Sequence, residues 1–378
     1  MRALTIVRME TLLEELAQRV RAAAREGRPL RIAGGGSKDG YGQALHGELL
    51  STRDYTGITS YEPSELVVTV RCGTPLAALE AALAEQGQCL PFEPPHHLPG
   101  NAAESSRATC GGMLAAGLSG PSRANAGAVR DFVLGLRLLN GRGELLTFGG
   151  QVMKNVAGYD VSRLMAGAMG SLGLVTDISF KVLPLAPAEA TLRFAWSQEQ
   201  ALRQLHAWGG QPLPLNASCW REGEGLTLRL RGAVAAVDAA RRQLGGESVE
   251  PAAAAAFWAA RRALRMPWDD IGQARDLWRL SVPQTAPVLE LPGVPLVEWH
   301  GGQRWLAAPP EEAARVRQAA RAAGGSATLF LAAAGERSGA RAHVFDPLPA
   351  ALERIHRGLK ASFDPAGIFN PGRLYADL

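Results

Sequence analysis

Residues 29–38 read PLRIAGGGSK: an apolar run, three consecutive glycines, then a serine and a lysine. A strand that empties into such a loop suits a phosphate, and three designs share this opening. A P-loop needs G-x-x-x-x-G-K-[ST], so that lysine reaches the terminal phosphates and the next hydroxyl holds Mg²⁺. Here Ser37-Lys38 stands in the reverse order, and Asp39-Gly40 follows where a helix should start. A dinucleotide-binding loop needs G-x-G-x-x-G opening a helix, with an acidic residue about 20 positions later. Gly34, Gly36 and Ser37 break that spacing, and Tyr41-Gly42-Gln43 does not begin an amphipathic helix. Both designs are excluded. Two readings stay open for the loop alone: an ordinary glycine turn, or an anion nest of successive backbone N–H groups.

Two further segments weigh on that choice. TCGGMLAAG (109–117) is a small-residue run that lets backbone approach a flat, bulky ligand, and LMAGAMGSLGLVTD (164–177) is a glycine-rich turn feeding a strand. Three such segments exceed what turn-making alone requires.

The bulk numbers narrow the class. At 378 residues, 47% hydrophobic and 20% charged, the chain has the profile of a globular protein of two domains. No uninterrupted apolar run reaches the roughly 18 residues of a membrane span. The start, MRALTIVRMETLLEEL, lacks the apolar core of a secretory signal, so a cytoplasmic location is expected. Only Lys38, Lys154, Lys181 and Lys360 are lysines, and the remaining basic residues are scattered arginines with a net charge of only +4. That is not a nucleic-acid footprint. Cys72, Cys89, Cys110 and Cys219 are widely spaced with no C-x-x-C, which excludes the usual zinc and iron–sulfur frameworks. They read as small core residues in a reducing compartment.

Periodicity predicts an α+β first half. Residues 9–26 form a helix ended by Gly27 and Pro29, a strand follows at 29–33, and YEPSELVVTVRCG (61–73) reads as a strand. Thr74-Pro75 supplies the N-cap and first-turn proline of a helix over 75–86. DFVLGLRLLNGRGELLTFGG (131–150) is a hairpin around Asn140-Gly141, and 171–185 is a strand closed by Pro184. After Pro184 and Pro187 the texture changes. TLRFAW (191–196), a helix at 197–208, NASCW (216–220), a hairpin near GLTLRLRG (225–232) and helices at 234–244 and 253–264 suggest a second α/β unit, with the boundary near 186. LKASFDPAGIFNPGRLY (359–375) is a helix end and a Pro/Gly-rich tail too apolar to be disordered.

The runs PLRIAGGGS, VVTVRCGTPLAALEAAL (67–83), TCGGMLAAG and KNVAGYDVSRLMAGAMGSLGLVT (154–176) together resemble the FAD-binding domain of the vanillyl-alcohol-oxidase type, the PCMH flavoprotein superfamily. FDPAGIFNPGRL (363–374) resembles the tail of its 2-hydroxy-acid dehydrogenase branch. SGPSRANAGAVRDFVLGLRLLNGRGELLTFGGQVMKNVAGYD (119–160) resembles the FAD-binding E subunits of bacterial glycolate oxidases. The resemblance implies a PCMH-type FAD-binding domain of two α+β subdomains over 1–186. A smaller, abbreviated α/β cap would follow over 187–378, with 359–378 packing back on the FAD domain.

It also implies site residues. Ile32, Ala33, Gly34, Gly35, Gly36 and Ser37 would wrap the FAD pyrophosphate with backbone amides, Ser37 adding a hydroxyl. Thr109, Gly111, Gly112, Ala115 and Gly117 would line the flavin and ribityl parts, and Leu174 and Val175 would be strand backbone beside the cofactor. Asp160 would cap the helix at 161–166. Lys154 and Asn155 would face the cofactor or a partner, or simply serve the hairpin exit. Covalently flavinylated relatives carry histidine in the first loop. Gly36 stands there, so FAD is expected to be non-covalent.

Oxidising a 2-hydroxy acid on a flavin requires a base near the hydroxyl and a cation for the carboxylate. Of seven histidines, His96-His97 in PFEPPHHLPG (91–100) reads either as a base over the cofactor or as a surface pair. Catalytic relatives carry GDGNxH-like and EHG-like stretches. The nearest here are RAHVFDP (341–347), where His343 lacks the G-D-G-N, and VEWHGGQRW (297–305), where Trp299 separates Glu298 from His300. No catalytic residue is assigned and no metal is expected.

The resemblance therefore implies a subunit of a glycolate oxidase that oxidises glycolate to the 2-oxo acid, with D-lactate as a further candidate substrate. Its partners would be a larger paralogous FAD-binding catalytic subunit and an iron–sulfur subunit, with any contact to the inner membrane made through them. The alternatives are a stand-alone 2-hydroxy-acid dehydrogenase and a catalytically silent FAD carrier. Trp258, Trp268, Trp278, Trp299 and Trp305 are either a partner surface or buried packing.

Overall fold

The computed structural model describes residues 2–100, 107–150, 159–335 and 339–378. Helix α1 (Arg2–Glu26) begins before the predicted residue 9 and stops at Gly27, whose φ of +63° suits glycine. Its Leu16, Val20 and Ala23 recur at helical spacing and pack on Leu30, Leu50, Leu139 and Leu174. Strand β1 (Leu30–Ala33) then pairs in parallel with β2 (Glu48–Ser51).

The stretch 61–73 is not one strand. β3 (Ile58–Glu62) and β4 (Val67–Arg71) are antiparallel, joined by a 3₁₀ turn at Pro63–Glu65 and by Leu66 at φ +57°. Pro63 cannot donate to a ladder, so the chain turns there. Thr74 also departs from expectation: its hydroxyl accepts from Gly57 N at 2.9 Å instead of capping a helix. Pro75 is the N-cap of α2 (Leu76–Glu85).

After β5 (Gln88–Cys89) come two short helices, α3 (Cys110–Ala116) and α4 (Arg123–Ala126). The hairpin of β6 (Val133–Leu139) and β7 (Leu145–Gly149) forms as predicted, and Asn140 Oδ1 accepts from Arg142 N and Glu144 N to hold its turn. The Asp160 carboxylate caps α5 (Val161–Leu164), accepting from Arg163 N at 3.1 Å. β8 (Leu174–Lys181) completes an antiparallel sheet of order β3-β4-β8-β6-β7, and β9 (Leu183–Pro184) pairs with β5. Val68, Val70, Phe92, Phe180 and the Leu76, Leu79, Leu83 face of α2 form the core beneath it.

The rest of the strands build a second, eight-stranded sheet. β10 (Ala188–Phe194) leads into α6 (Gln198–Gly209), whose start is a capping box of Ser197 and Gln200. β11 (Leu215–Arg221) and β12 (Gly225–Gly232) form the predicted hairpin, followed by α7 (Val234–Leu244), β13 (Glu247–Ser248) and α8 (Pro251–Arg262). β14 (Asp276–Ser281), β15 (Leu296–Glu298), β16 (Gln303–Ala308), α9 (Ala313–Ala322) and β17 (Ser326–Leu331) close it in the order β13-β10-β12-β11-β15-β16-β14-β17. Trp258, Trp278, Trp299 and Trp305 are buried and Trp268 is half-buried, so these rings are packing.

One face of this sheet, through Ala217, Cys219, Leu277, Trp305 and Phe330, packs on Tyr41, Leu98, Leu118 and Met169 of the first half. An ionic clamp lies beside it. Glu93, itself at φ +47°, receives Arg229 at 2.7 Å and Arg231 at 3.1 Å. After α10 (Ala350–Phe363) the chain returns to β1: Leu30 N donates to Ile368 O and Asn370 N to Leu30 O. Asp364 accepts from Ile368 N and Phe369 N and pairs with Lys360, which fixes this turn.

Candidate cofactor site

Two adjoining clefts run between the glycine loop, α3 and the returning tail. Ile32, Gly34, Gly112, Ala115, Met169 and Asn370 line both. The loop itself is shaped by close approach. A Cβ at Gly34 would lie 2.3 Å from Thr109 Oγ1, and one at Gly35 would lie 1.4 Å from the Arg107 carbonyl oxygen. Gly36 has φ +80°. Only glycine lets these two segments touch.

The loop amides carry the electrostatics. Among the described residues, none of the N–H groups of Gly34, Gly35, Gly36, Ser37 and Lys38 donates to a protein acceptor. Successive unpartnered amides on a tight turn form an anion nest. The start of α3 contrasts with it. Cys110 N donates to Thr74 O, Gly111 N to Cys72 O and Gly112 N to the Thr109 hydroxyl. That helix terminus has no amide left for an anion, and its small residues make a flat floor instead.

The expected residues fall into two groups. Ile32, Ala33, Gly34, Gly35, Gly36, Ser37, Thr109, Gly112 and Ala115 line the first cleft, while Gly111 and Val175 line the second. Gly117 and Leu174 line neither. Gly117 ends α3 at φ +65°, where a Cβ would lie 2.8 Å from the Gly167 Cα, and Leu174 turns into the α1 core. Lys154 and Asn155 lie outside the described residues.

Sequence reasoning missed the tail as a wall. Asn370 Oδ1 accepts from Ile32 N at 2.8 Å, and its Nδ2 donates to Met169 O at 2.6 Å. Arg373 donates to the carbonyls of Asp39, Tyr41 and Gln43, gripping the loop just after the nest. The signal was available in NPGR, a turn whose polar side chains sit in an apolar tail.

A family model described as an FAD binding domain matches residues 5–149. Over 365 residues the chain is 45% identical to the glycolate oxidase subunit GlcE of Escherichia coli, covering 97% of this chain and 98% of that one. The chain belongs to the GlcE family. It is an FAD-binding oxidoreductase subunit with the PCMH-type fold. A region of 158 residues is 28% identical to the glycolate oxidase subunit GlcD of Bacillus subtilis, spanning 42% of this chain and 32% of that protein. Another, of 167 residues, is 30% identical to a D-2-hydroxyglutarate dehydrogenase of Xanthomonas citri, spanning 43% and 33%. In three dimensions the chain matches alkyldihydroxyacetonephosphate synthase with a TM-score of 0.62 at 16% identity, over 96% of this chain and 76% of that one. That likeness concerns the fold alone.

The residues fit FAD: a nest of free amides, a glycine cradle and a flat small-residue floor stand in one trench. The candidate bases do not join them. No histidine lines either cleft. His96 Nε2 is bonded to Glu80 at 2.9 Å beside Arg262, and His97 Nδ1 to Leu98 O at 2.7 Å. The VEWHGG segment (297–302) is buried and lines neither cleft. Glu298 accepts from Trp305 Nε1 and Gln303 Nε2, and burial raises its carboxyl above the usual range. His300 is buried at φ +56° against Asn125, and burial pushes its imidazole down to about 4. His343 is exposed. Cys72 lines the second cleft, but burial pushes its thiol up to about 12, which leaves it unreactive. Beyond Lys38 and Arg373, which line the first cleft, a third cation lies against Tyr41 of its wall. Arg279 donates to the Tyr41 hydroxyl at 2.9 Å and has no carboxylate partner among the described residues.

Proposed function

We propose that this chain is an FAD-carrying subunit of a multi-subunit glycolate oxidase, acting with a larger paralogous FAD-binding catalytic subunit and an iron–sulfur subunit. The assembly oxidises glycolate to the 2-oxo acid and passes the electrons to the iron–sulfur subunit. The observation that carries this is the end-to-end similarity to GlcE. The cleft supports it: five free amides suit a diphosphate, and no histidine lines either cleft to serve as a base. Bound FAD would supply the electron acceptor. The chain's own residues hold it, Gly34 to Ser37 at the phosphates and Gly111, Gly112, Ala115 and Val175 along the rest. Attachment is non-covalent, with Gly36 at the position of the histidine in flavinylated relatives. No helix among the described residues is long and apolar enough to cross a membrane.

A second reading, a stand-alone dehydrogenase for glycolate or D-lactate, draws on Arg279. Its guanidinium lies over Tyr41 and Phe330 and could take a substrate carboxylate at the cleft. Anaerobic addition of glycolate separates the two. Bleaching of the flavin band only with the sister subunits present supports the first. Bleaching of the isolated chain on a catalytic timescale, abolished by Arg279→Leu, supports the second.

A further inference from the structure

Lys38 ends the glycine loop, and the backbone nest leaves its role unexplained. Its Nζ donates to the His96 carbonyl at 2.9 Å and lies 3.4 Å from Ser37 Oγ. Both partners are neutral, and no carboxylate pairs with it among the described residues. The side chain is half-buried and lines the same cleft as Gly34–Ser37. An ammonium withdrawn from water onto two dipoles is poorly compensated. Partial burial accordingly pushes it down to about 8. Other charges surround it without neutralising it. Asp39 is next in the chain, Arg107 lies by Gly36, and Arg373 grips the carbonyls of Lys38 and Asp39. On the facing loop the His96 ring is held by Glu80 with Arg262, and His97 is tied to Leu98 O. A dianion entering the nest would meet the five amides and this ammonium together.

We propose that the Lys38 ammonium is the fixed cation for the FAD diphosphate, leaving the His96 carbonyl for a phosphate oxygen as the cofactor enters. The proposal rests on FAD occupying the nest. It gives the lysine a place that neither a P-loop nor a backbone-only nest provides: it approaches from the far end of the loop. It also links binding to protonation. The free amine titrates near 8 and pairing with a dianion raises that value, so binding takes up a proton above pH 8. Affinity is full below pH 8 and falls as pH rises past it. Between pH 7 and pH 9 the Kd for FAD increases about tenfold.

The test uses the full chain stripped of flavin, as wild type, Lys38→Met and Lys38→Arg, with thermal melts to establish that each folds. FAD and riboflavin, which lacks the diphosphate, are titrated by flavin fluorescence from pH 7 to 9. Proton uptake is read by calorimetry in two buffers of different ionisation enthalpy. In Lys38→Met, FAD binding weakens on the order of 10- to 100-fold at pH 7, with riboflavin binding unchanged and a flat pH profile. Lys38→Arg recovers most of the affinity without the pH dependence. The proposal is overturned if Lys38→Met keeps wild-type FAD affinity and pH profile. It is equally overturned if that variant weakens FAD and riboflavin alike, which would make Lys38 a prop for the His96 loop. A wild-type chain that binds no FAD would overturn the cofactor assignment beneath it, and this proposal with it.

Discussion

Replacing Asn370 tests whether the returning tail builds the cofactor trench or merely lies on it. The side chain is buried and makes two hydrogen bonds, accepting from Ile32 N and donating to Met169 O. Truncation leaves an amide and a carbonyl without partners where water has poor access, which costs about 2–4 kcal/mol for the pair. The backbone adds to this. Asn370 sits at φ +40°, which asparagine tolerates and alanine resists by about 1 kcal/mol or more. Asn370→Gly therefore removes the hydrogen bonds alone, and Asn370→Ala removes them and strains the turn. The expected losses are about 2–4 kcal/mol for glycine, less some added chain entropy, and about 1 kcal/mol more for alanine. Urea denaturation of the flavin-free chain measures the stability, and fluorescence titration measures FAD. Because Ile32 leads directly into the nest, the FAD Kd should rise at least tenfold in both variants. If both stay within about 0.5 kcal/mol of wild type with unchanged FAD affinity, the tail is not a wall of the site.

Neighbouring glycines should differ sharply in tolerance. Gly35→Ala forces a methyl into the Arg107 carbonyl and should leave a protein that purifies colourless, whereas Gly36→Ala meets a φ penalty of about 1–2 kcal/mol and the ends of the Arg107 and Asp39 side chains at 3.2 and 3.3 Å, which can shift, and should bind FAD a few-fold to tenfold more weakly. Equal behaviour of the two would contradict the cradle geometry. Acid precipitation of the loaded chain should release all yellow flavin to the supernatant; colour in the washed pellet would show a covalent link. His300 predicts an acid limb in the stability. Its imidazole titrates at about 4 folded against 6.5 unfolded, so the stability it confers is complete above pH 6.5 and lost as pH falls toward 4. The loss is about 1.4 kcal/mol per pH unit, roughly 3 kcal/mol in all. Denaturation midpoints from pH 7 to 4 should slope accordingly in wild type and flatten in His300→Gln, and parallel slopes would assign the acid limb elsewhere.

The features legible in the sequence were those whose cause is local. Asn140-Gly141 announces its hairpin because the asparagine bonds its own turn, and Asp160 announces a helix because its carboxylate reaches an amide three residues on. For the glycine loop, elimination left a turn or an anion nest, and the two further glycine segments with the family resemblance favoured the nest. Features set by distant contacts were not. Thr74 looks like a cap, yet its hydroxyl prefers the Gly57 backbone brought alongside by β3. Leu174 looks like its neighbour Val175, but strand alternation sends it to the α1 core. The amides at the start of α3 resemble a second anion site until Cys72 and Thr74 take them. The histidines stayed open for a related reason: burial and existing partners, invisible in the chain, decide whether such a ring can work as a base.

The pairing of Asn370 with Ile32 also fixes an order of events. The two residues are 338 positions apart, so the phosphate loop is synthesised early and its clasp very late. Closing a contact of that span is slow compared with folding of the hairpins in between. Until residue 373 has been made, Arg373 cannot grip the carbonyls of Asp39 and Tyr41, and the nest lacks its clasp. FAD loading is therefore an act of the whole chain, and a nascent or truncated product ending short of Asn370 would reach its partners without a flavin.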